Sequence, residues 1–201
     1  MEKEKLERIL DYAYRLGMSQ IRDEITKLAK LLIKKKPKNV LEIGSKLGGN
    51  FYLLCRICDG KRISVDLEEG EHGGWILQHH PYLGDITYLR NKYFKSLNSI
   101  MIMGNSHHNK TLNKVKDELK NQKLDVLYID GDHTYKGVEK DFEMYSPLVK
   151  HNGLIIFHDI NDTEFHKKAN NQVCKFWKEL KGNKIEISIK EHWGGIGILC
   201  L

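Results

Sequence analysis

Two short clusters of acids and imidazoles stand out in the chain. Asp130, Asp132 and His133 follow one apolar run, and His158 and Asp159 follow another. Carboxylates with imidazole suit a hard or borderline divalent ion such as Mg²⁺ or Mn²⁺. Such an ion can chelate a hydroxyl, lower its pKa and make the oxygen nucleophilic near neutral pH. His133, whose ordinary pKa lies near neutrality, is suited to take the proton. The competing reading is that these residues only cap helices and turns, since Asp130-Gly131-Asp132 is good turn chemistry in its own right.

A second set of residues points to a nucleoside-type cofactor. The run VLEIGSKLGGN, residues 40–50, closes a short apolar stretch with three glycines. Gly44 allows a tight turn, and Gly48 and Gly49 allow close backbone approach where a helix begins. Asp66 ends the next apolar run, 22 residues after Gly44. A carboxylate there can accept both ribose hydroxyls. The glycine pattern is G-x-x-x-G-G rather than G-x-G-x-x-G, which counts against a nicotinamide cofactor.

The elements that must position these residues follow from the hydrophobic period. Leu6, Ile9, Leu10 and Ala13 recur at helical spacing, as do Ile21, Ile25, Leu28 and Leu32, with Gly17 between them and Pro37 beyond. Strands are expected over 39–43, 62–67, 99–103, 124–130 and 154–158. Helices are expected over 49–58, somewhere in 83–95, and over 110–121. A further helix carries Val138, Phe142, Tyr145 and Val149 on one face, with Gly153 as its exit. Phe165, Ala169, Val173, Phe176, Trp177 and Leu180 predict one more amphipathic helix. Residues 184–190 alternate strictly, with Ile185, Ile187 and Ile189 on one face, and 195–201 follows too soon for a helical crossover. That spacing implies an antiparallel pair. The expected fold is α/β: a three-layer, Rossmann-like, doubly wound sheet, mostly parallel with an antiparallel C-terminal strand. Residues 1–36 form an N-terminal helical segment and 37–201 the domain itself. Adjacent parallel strands lie about 5 Å apart, so both acid clusters are expected to face one cleft beside the cofactor.

At these positions the chain resembles the class I methyltransferases that use S-adenosylmethionine, in the branch of small O-methyltransferases and cephalosporin hydroxylase-like sequences. VLEIGSKLGG is similar to the first motif of that branch and ISVDL (63–67) to its second. MGNSHH (103–108) resembles the turn after strand three, where Asn105 stands in place of a more usual Asp. The densest likeness is YIDGDHTYKGVEKDFEMYSPLVKHNGLIIFHDI (128–160). The resemblance implies a cofactor set of Glu42, Gly44, Ser45, Lys46, Gly48, Asp66, Leu67, Asn105, Ser106, Asp130 and His133. It implies Asp130 and Asp159 as metal ligands and His133 as base, so that Asp130, His133 and Asp159 are the catalytic set. The position before Asp159 is often Glu in metal-binding members; His158 stands there and is the third candidate ligand.

Composition bounds the remaining choices. The chain has 201 residues, room for one α/β domain. No apolar run approaches a membrane span and no apolar leader opens the chain, so a cytoplasmic protein with no membrane partner is expected. Four cysteines read as reduced thiols. Cys55 and Cys58 fall within one predicted helix and read as core or surface thiols rather than half a zinc site. Net charge is +6, and residues 1–36 hold ten Lys/Arg against six Asp/Glu. That segment is either a solvated basic face or a footprint for nucleic acid. The expected activity is methyl transfer to a small hydroxylated acceptor, with a homo-oligomer open. A nucleic-acid methyltransferase and a non-catalytic cofactor-binding domain are the alternatives. An oxidoreductase would need a sixth parallel strand, which the alternation of 184–190 argues against. The connection 71–84 reads either as a lid shaping the acceptor pocket or as an ill-fitting insertion, and its Gln78, His79 and His80 are not assigned as ligands. His192 and Trp193 either touch substrate or cover the core.

Overall fold

The computed structural model describes residues 1–67, 83–189 and 192–201. Two helices come first, α1 (Lys3–Arg15) and α2 (Arg22–Lys35). Each buries one stripe: Leu6, Ile9, Leu10 and Ala13 in α1, and Ile25, Leu28, Ala29 and Leu32 in α2. Helices this short are marginal alone, so the buried stripe is what holds them. The chain then alternates through β1 (Val40–Ile43), α3 (Gly49–Ile57), β2 (Arg62–Asp66), α4 (Leu83–Ser96), β3 (Ile100–Met103), α5 (Asn109–Leu119) and β4 (Leu124–Ile129). It continues with α6 (Tyr135–Tyr145), β5 (Val149–His158), α7 (Glu164–Lys168), α8 (Val173–Glu179), β6 (Asn183–Ile187) and β7 (Ile196–Cys200).

Among the described residues seven strands form one sheet, in the order β3-β2-β1-β4-β5-β7-β6. β1 to β5 pair in parallel, and β7 runs antiparallel to both β5 and β6. This is the expected Rossmann-like sheet with its antiparallel C-terminal strand. Successive side chains on a strand point to opposite faces, and both faces here are buried. Val126 and Tyr128 of β4 join the core under α1, α2 and α3, while Leu127 and Ile129 join the core under α5, α6 and α8. Leu154, Ile155, Ile156 and Phe157 of β5 divide between the two cores in the same way. Strand order reverses between β1 and β4, and the carboxyl ends of β1, β4 and β5 lie side by side, Ile43 against Ile129 and Ile129 against Phe157. Ligands of open α/β sheets bind at such a point.

Three local expectations are corrected. The helix carrying Val138 does not run to Gly153: α6 ends at Tyr145, a 3-10 turn at Ser146–Leu148 contains Pro147, and β5 already begins at Val149. Proline lacks the amide that would continue the helix. The helix expected from Phe165 to Leu180 is two, because Asn170 turns left-handed (φ 52°) and the Asn171 side chain caps α8 by accepting from the Val173 amide at 3.1 Å. β6 spans only 183–187 and lies at the sheet edge, so Ile185 stays 42% exposed. The expected lid or insertion at 71–84 falls largely on 68–82, so Gln78, His79 and His80 lie outside the described residues.

Candidate active site

The glycine turn leaves β1 where β1 meets β4. Gly44 has φ 85°, and a Cβ there would fall 2.1 Å from the carbonyl oxygen of Asp130. Only glycine fits both demands. The Gly44 amide donates to Val65 of β2 (2.9 Å), and the Asp130 amide to Ile43 of β1 (2.9 Å), so the turn is stitched to both neighbours. Gly48 closes the turn by donating to the Ser45 carbonyl at 2.7 Å, and a Cβ there would strike the Phe94 ring. Lys46 sits in the same turn with φ 51°. Glu42 is fully buried in β1; its Oε1 accepts from Asn50 Nδ2 at 2.7 Å, and its Oε2 has no partner among the described residues. Burial pushes the Glu42 carboxyl well above its ordinary value, and the Asn50 bond only partly opposes this.

Asp66 stands at the end of β2, as expected. Its Oδ2 accepts from Ser45 Oγ (3.2 Å) and from Arg90 (2.9 Å), while Oδ1 accepts from the Leu67 amide (3.0 Å). A carboxylate offers about four lone-pair sites, so one on Oδ1 is spare and Oδ2 is shared with a cation. The Arg90 guanidinium also meets the Lys46 carbonyl. Burial raises the Asp66 pKa, and Arg90 beside it opposes that without cancelling it. Asn105 and Ser106 lie in the turn after β3. Asn105 Oδ1 accepts from the His107 amide at 2.8 Å, and the Ser106 carbonyl accepts from Tyr145 Oη at 2.9 Å. His107 Nε2 lies 3.4 Å from Asp141, a fully buried acid of α6, which pins that turn to the helix.

The two acid clusters do meet. Asp130, His133 and Asp159 bring one ligand atom each to within 4.8 Å of one another. His133 Nε2 lies 3.2 Å from Asp130 Oδ1, and its Nδ1 lies 3.6 Å from Asp159 Oδ2. His158 is outside this trio and 3% exposed. Its Nδ1 lies 3.3 Å from Asp130 Oδ1 and 3.0 Å from Asp159 Oδ1, between the two carboxylates. Asp159 holds a left-handed backbone (φ 65°), a conformation that Asp tolerates better than most residues. Asp132 faces its own loop, accepting from the Thr134 amide at 2.9 Å.

Electrostatics in the cluster are reciprocal. Burial pushes both carboxyls up, but His158 first and His133 with it outweigh burial, so Asp130 and Asp159 lie below the ordinary range. Burial pushes both imidazoles down, and the two carboxylates reverse that, raising His133 and raising His158 strongly. His158 Nδ1 thus faces both carboxylates at once. The side chains whose ligand atoms converge are the two carboxylates, Asp130 and Asp159, with His133 beside them. Two donors sharing a hard cation at about 2.0–2.6 Å each lie within about 5 Å of one another, which these atoms satisfy.

Several participants carry no signal in the sequence. His166 Nδ1 hydrogen-bonds the Asn161 carbonyl at 2.6 Å, and its Nε2 lies 3.5 Å from Asp159. Asn171 donates to Asp159 Oδ2 at 2.8 Å, and the Gln172 amide donates to the His133 carbonyl at 2.8 Å. The adjacent Asn170-Asn171 pair, poor helix interior, was the one available hint. Arg90 and Gln20 reach the site from helices or loops distant in sequence, and no local pattern marks them. Trp193 lies edge-on to His158 (5.8 Å between centroids) and 6.2 Å from Phe165, itself 62% exposed. An aromatic corner thus borders the cluster.

The sequence profile of a family described as methyltransferase domain matches residues 41–160. The chain is similar in fold to an O-methyltransferase from Bacillus cereus in complex with SAH, with TM-score 0.61 and 16% identity, covering 100% of this chain and 92% of that one. It is similarly close to the O-methyltransferase TomG from Streptomyces achromogenes, involved in tomaymycin synthesis and solved with SAM, with TM-score 0.61, 17% identity and coverage of 100% and 91%. Among curated sequences it is 22% identical over 173 residues to an uncharacterised protein of Sinorhizobium fredii, covering 82% of this chain and 17% of that protein. A second, from Acanthamoeba polyphaga mimivirus, is 34% identical over 61 residues, 30% of this chain and 28% of that protein. The chain thus spans under a third of the length of either curated relative.

Proposed function

The chain belongs to the family of methyltransferase domains, and on that premise we propose that it moves the methyl group of S-adenosylmethionine onto a hydroxyl of a small acceptor. The observation that carries this reading is the convergence of Asp130, His133 and Asp159 at the carboxyl edge of β4 and β5, beside the glycine turn of β1. The cofactor supplies an electrophilic methyl on a sulfonium, and attack on it is an in-line displacement that rewards positioning. Asp66, with its spare lone pair on Oδ1, would receive the ribose, and the Gly44–Gly48 turn would hold the rest of the cofactor. Full use of both Asp66 oxygens requires Arg90 to leave Oδ2.

His133 is the base of this reading, with a condition set by its surroundings. Both of its ring nitrogens face carboxylates, which favour the protonated ring. It can accept a proton only when those charges are otherwise compensated. A divalent ion held by Asp130 and Asp159 would supply that compensation and acidify the acceptor hydroxyl. Asn171 and His166 keep Asp159 oriented, and the Gln172 amide fixes the backbone of His133. In this reading 37–201 is the methyltransferase domain, 1–36 is a helical segment laid on it, and the acceptor is a small molecule.

Calorimetric titration with S-adenosylmethionine, in EDTA and again with Mg²⁺, tests the reading. Saturable binding in at least one condition is expected. Absence of binding in both defeats it, and turnover that survives chelation removes the metal alone.

A further inference from the structure

The loop between α1 and α2 packs onto the glycine turn. A Cβ on Gly17 would lie 2.6 Å from the Leu47 side chain, and one on Gly49 would lie 2.3 Å from the Met18 amide nitrogen and 2.6 Å from the Ala13 carbonyl oxygen. The two pieces of the protein touch there, backbone to backbone at Gly49 and backbone to the Leu47 side chain at Gly17. From the same loop Gln20, 7% exposed, extends its Nε2 to Asp130 Oδ2 at 2.9 Å, while Tyr14 Oη donates to the Gln20 carbonyl at 2.7 Å. A carboxylate only accepts, so the amide orientation is forced: nitrogen toward Asp130, oxygen away. That oxygen, Gln20 Oε1, is buried and has no hydrogen-bond partner among the described residues. A buried orphan acceptor is costly to leave unmade.

The sheet order says which ligand group can reach it. β1 lies between β2 and β4, so Asp66 and Asp130 flank the glycine turn on opposite sides, about 10 Å apart across two strand spacings. A ligand whose ribose sits at Asp66 and which crosses the turn arrives at Asp130 and Gln20 with its far end. In S-adenosylmethionine that end is an amino-acid tail with an α-ammonium. An ammonium only donates, and Gln20 Oε1 beside the Asp130 carboxylate only accepts.

We propose that Gln20 is a positioning residue of this site: its Nε2 holds Asp130, and its Oε1 receives the α-ammonium of the cofactor's tail. The N-terminal helices thereby complete the cofactor site. This rests on the reading that the cofactor is S-adenosylmethionine, and the test separates the two.

S-adenosylhomocysteine carries the ammonium; 5′-methylthioadenosine keeps the adenosine and sulfur but lacks the tail. Both are titrated calorimetrically into the full chain, wild type, Gln20→Met and Gln20→Asn, with melting temperatures recorded alongside. Methionine conserves volume without the amide, and asparagine keeps an amide that falls one methylene short. Loss of one charge-assisted hydrogen bond should weaken S-adenosylhomocysteine by about tenfold in both variants. Methylthioadenosine should change by less than about twofold on the same scale. Equal weakening of both ligands would make Gln20 merely structural and overturn the inference. Unchanged affinity for S-adenosylhomocysteine would overturn it alone, leaving the cofactor reading intact. A wild-type chain that binds neither nucleoside defeats the cofactor reading and this inference with it.

Discussion

Glu24 should be one of the costliest side chains to remove from this fold. It lies in the first turn of α2, fully buried, with Oε1 accepting from the Ile189 amide and Oε2 from the Gly195 amide, each at 2.8 Å. Those amides stand at the two ends of the β6–β7 connection that carries Trp193. One carboxylate therefore clasps both ends of that loop. Hydrogen bonds to a charged group contribute about 1.5–3 kcal/mol each, and an orphaned buried amide costs a similar amount. Glu24→Ala should then lose about 4 kcal/mol, a fall of roughly 8–16 °C in melting temperature for a domain of this size. Glu24→Gln keeps one acceptor and turns an NH₂ toward the other amide, so it should lose about half as much. Asp23, the exposed acid beside it in the same first turn, is the control: Asp23→Ala removes only a helix-dipole contact, worth under about 1 kcal/mol. Thermal unfolding followed by circular dichroism gives the ranking, and amide exchange at Gly195 gives the location. A Glu24→Ala protein melting within about 2 °C of wild type, or one whose Gly195 amide exchanges no faster, would refute the clasp.

Three further outcomes are expected. Arg90→Ala removes a cation from the largely buried Asp66, so the free protein should lose about 3 kcal/mol while its affinity for S-adenosylhomocysteine holds or rises; a tenfold or greater loss of affinity by calorimetry would make Arg90 a ligand contact instead. Glu42 has a folded pKa raised well above the ordinary 4.5, so its contribution is fully present below that value and is lost as pH rises through the folded pKa. Glu42→Gln should therefore gain stability relative to wild type as pH rises from 4.5, and a pH-independent difference in melting temperature would contradict this. Burial pushes the Cys55 thiol up to about 12 and Cys58 to about 11, so neither should be alkylated by iodoacetamide at pH 8 until the chain unfolds; peptide mapping that finds either labelled in native protein would count against it.

The repeating parts of this fold were legible because they repeat. Apolar runs closed by Gly44, Asp66, Asp130 and Asp159 mark four carboxyl strand ends, and the structure sets Gly44 against Asp130 and Asp130 near Asp159. What escaped was either local chemistry overriding period or contact across sequence. Pro147 ends a helix that the spacing of Val138 and Val149 predicts to run on, and Asn170 cuts another in two. Gln20, Glu24 and Arg90 reach their partners across long stretches of sequence. No hydrophobic pattern encodes such a pairing, because each is one polar side chain, on a helix or a loop, whose partner lies far away in sequence. His158 was legible as a position and not as a state: its charge depends on two carboxylates that only the fold brings to either side of one nitrogen.

The placement of β7 between β5 and β6 has a consequence for how the chain is made. Translation delivers β5, with His158 at its end, before the strand that will lie beside it. Until Ile196–Cys200 emerges, Leu154–His158 has β4 on one flank and an open ladder of amides and carbonyls on the other. It is a buried, hydrophobic strand spending part of its early life as an edge, which is the state most exposed to wrong pairing. The vulnerable interval closes only when β7 inserts, and the same event brings Gly195 to Glu24 and Trp193 to His158. Late truncations should therefore harm solubility before they harm any single contact, with nascent chains ending ahead of residue 196 the ones that most need a chaperone.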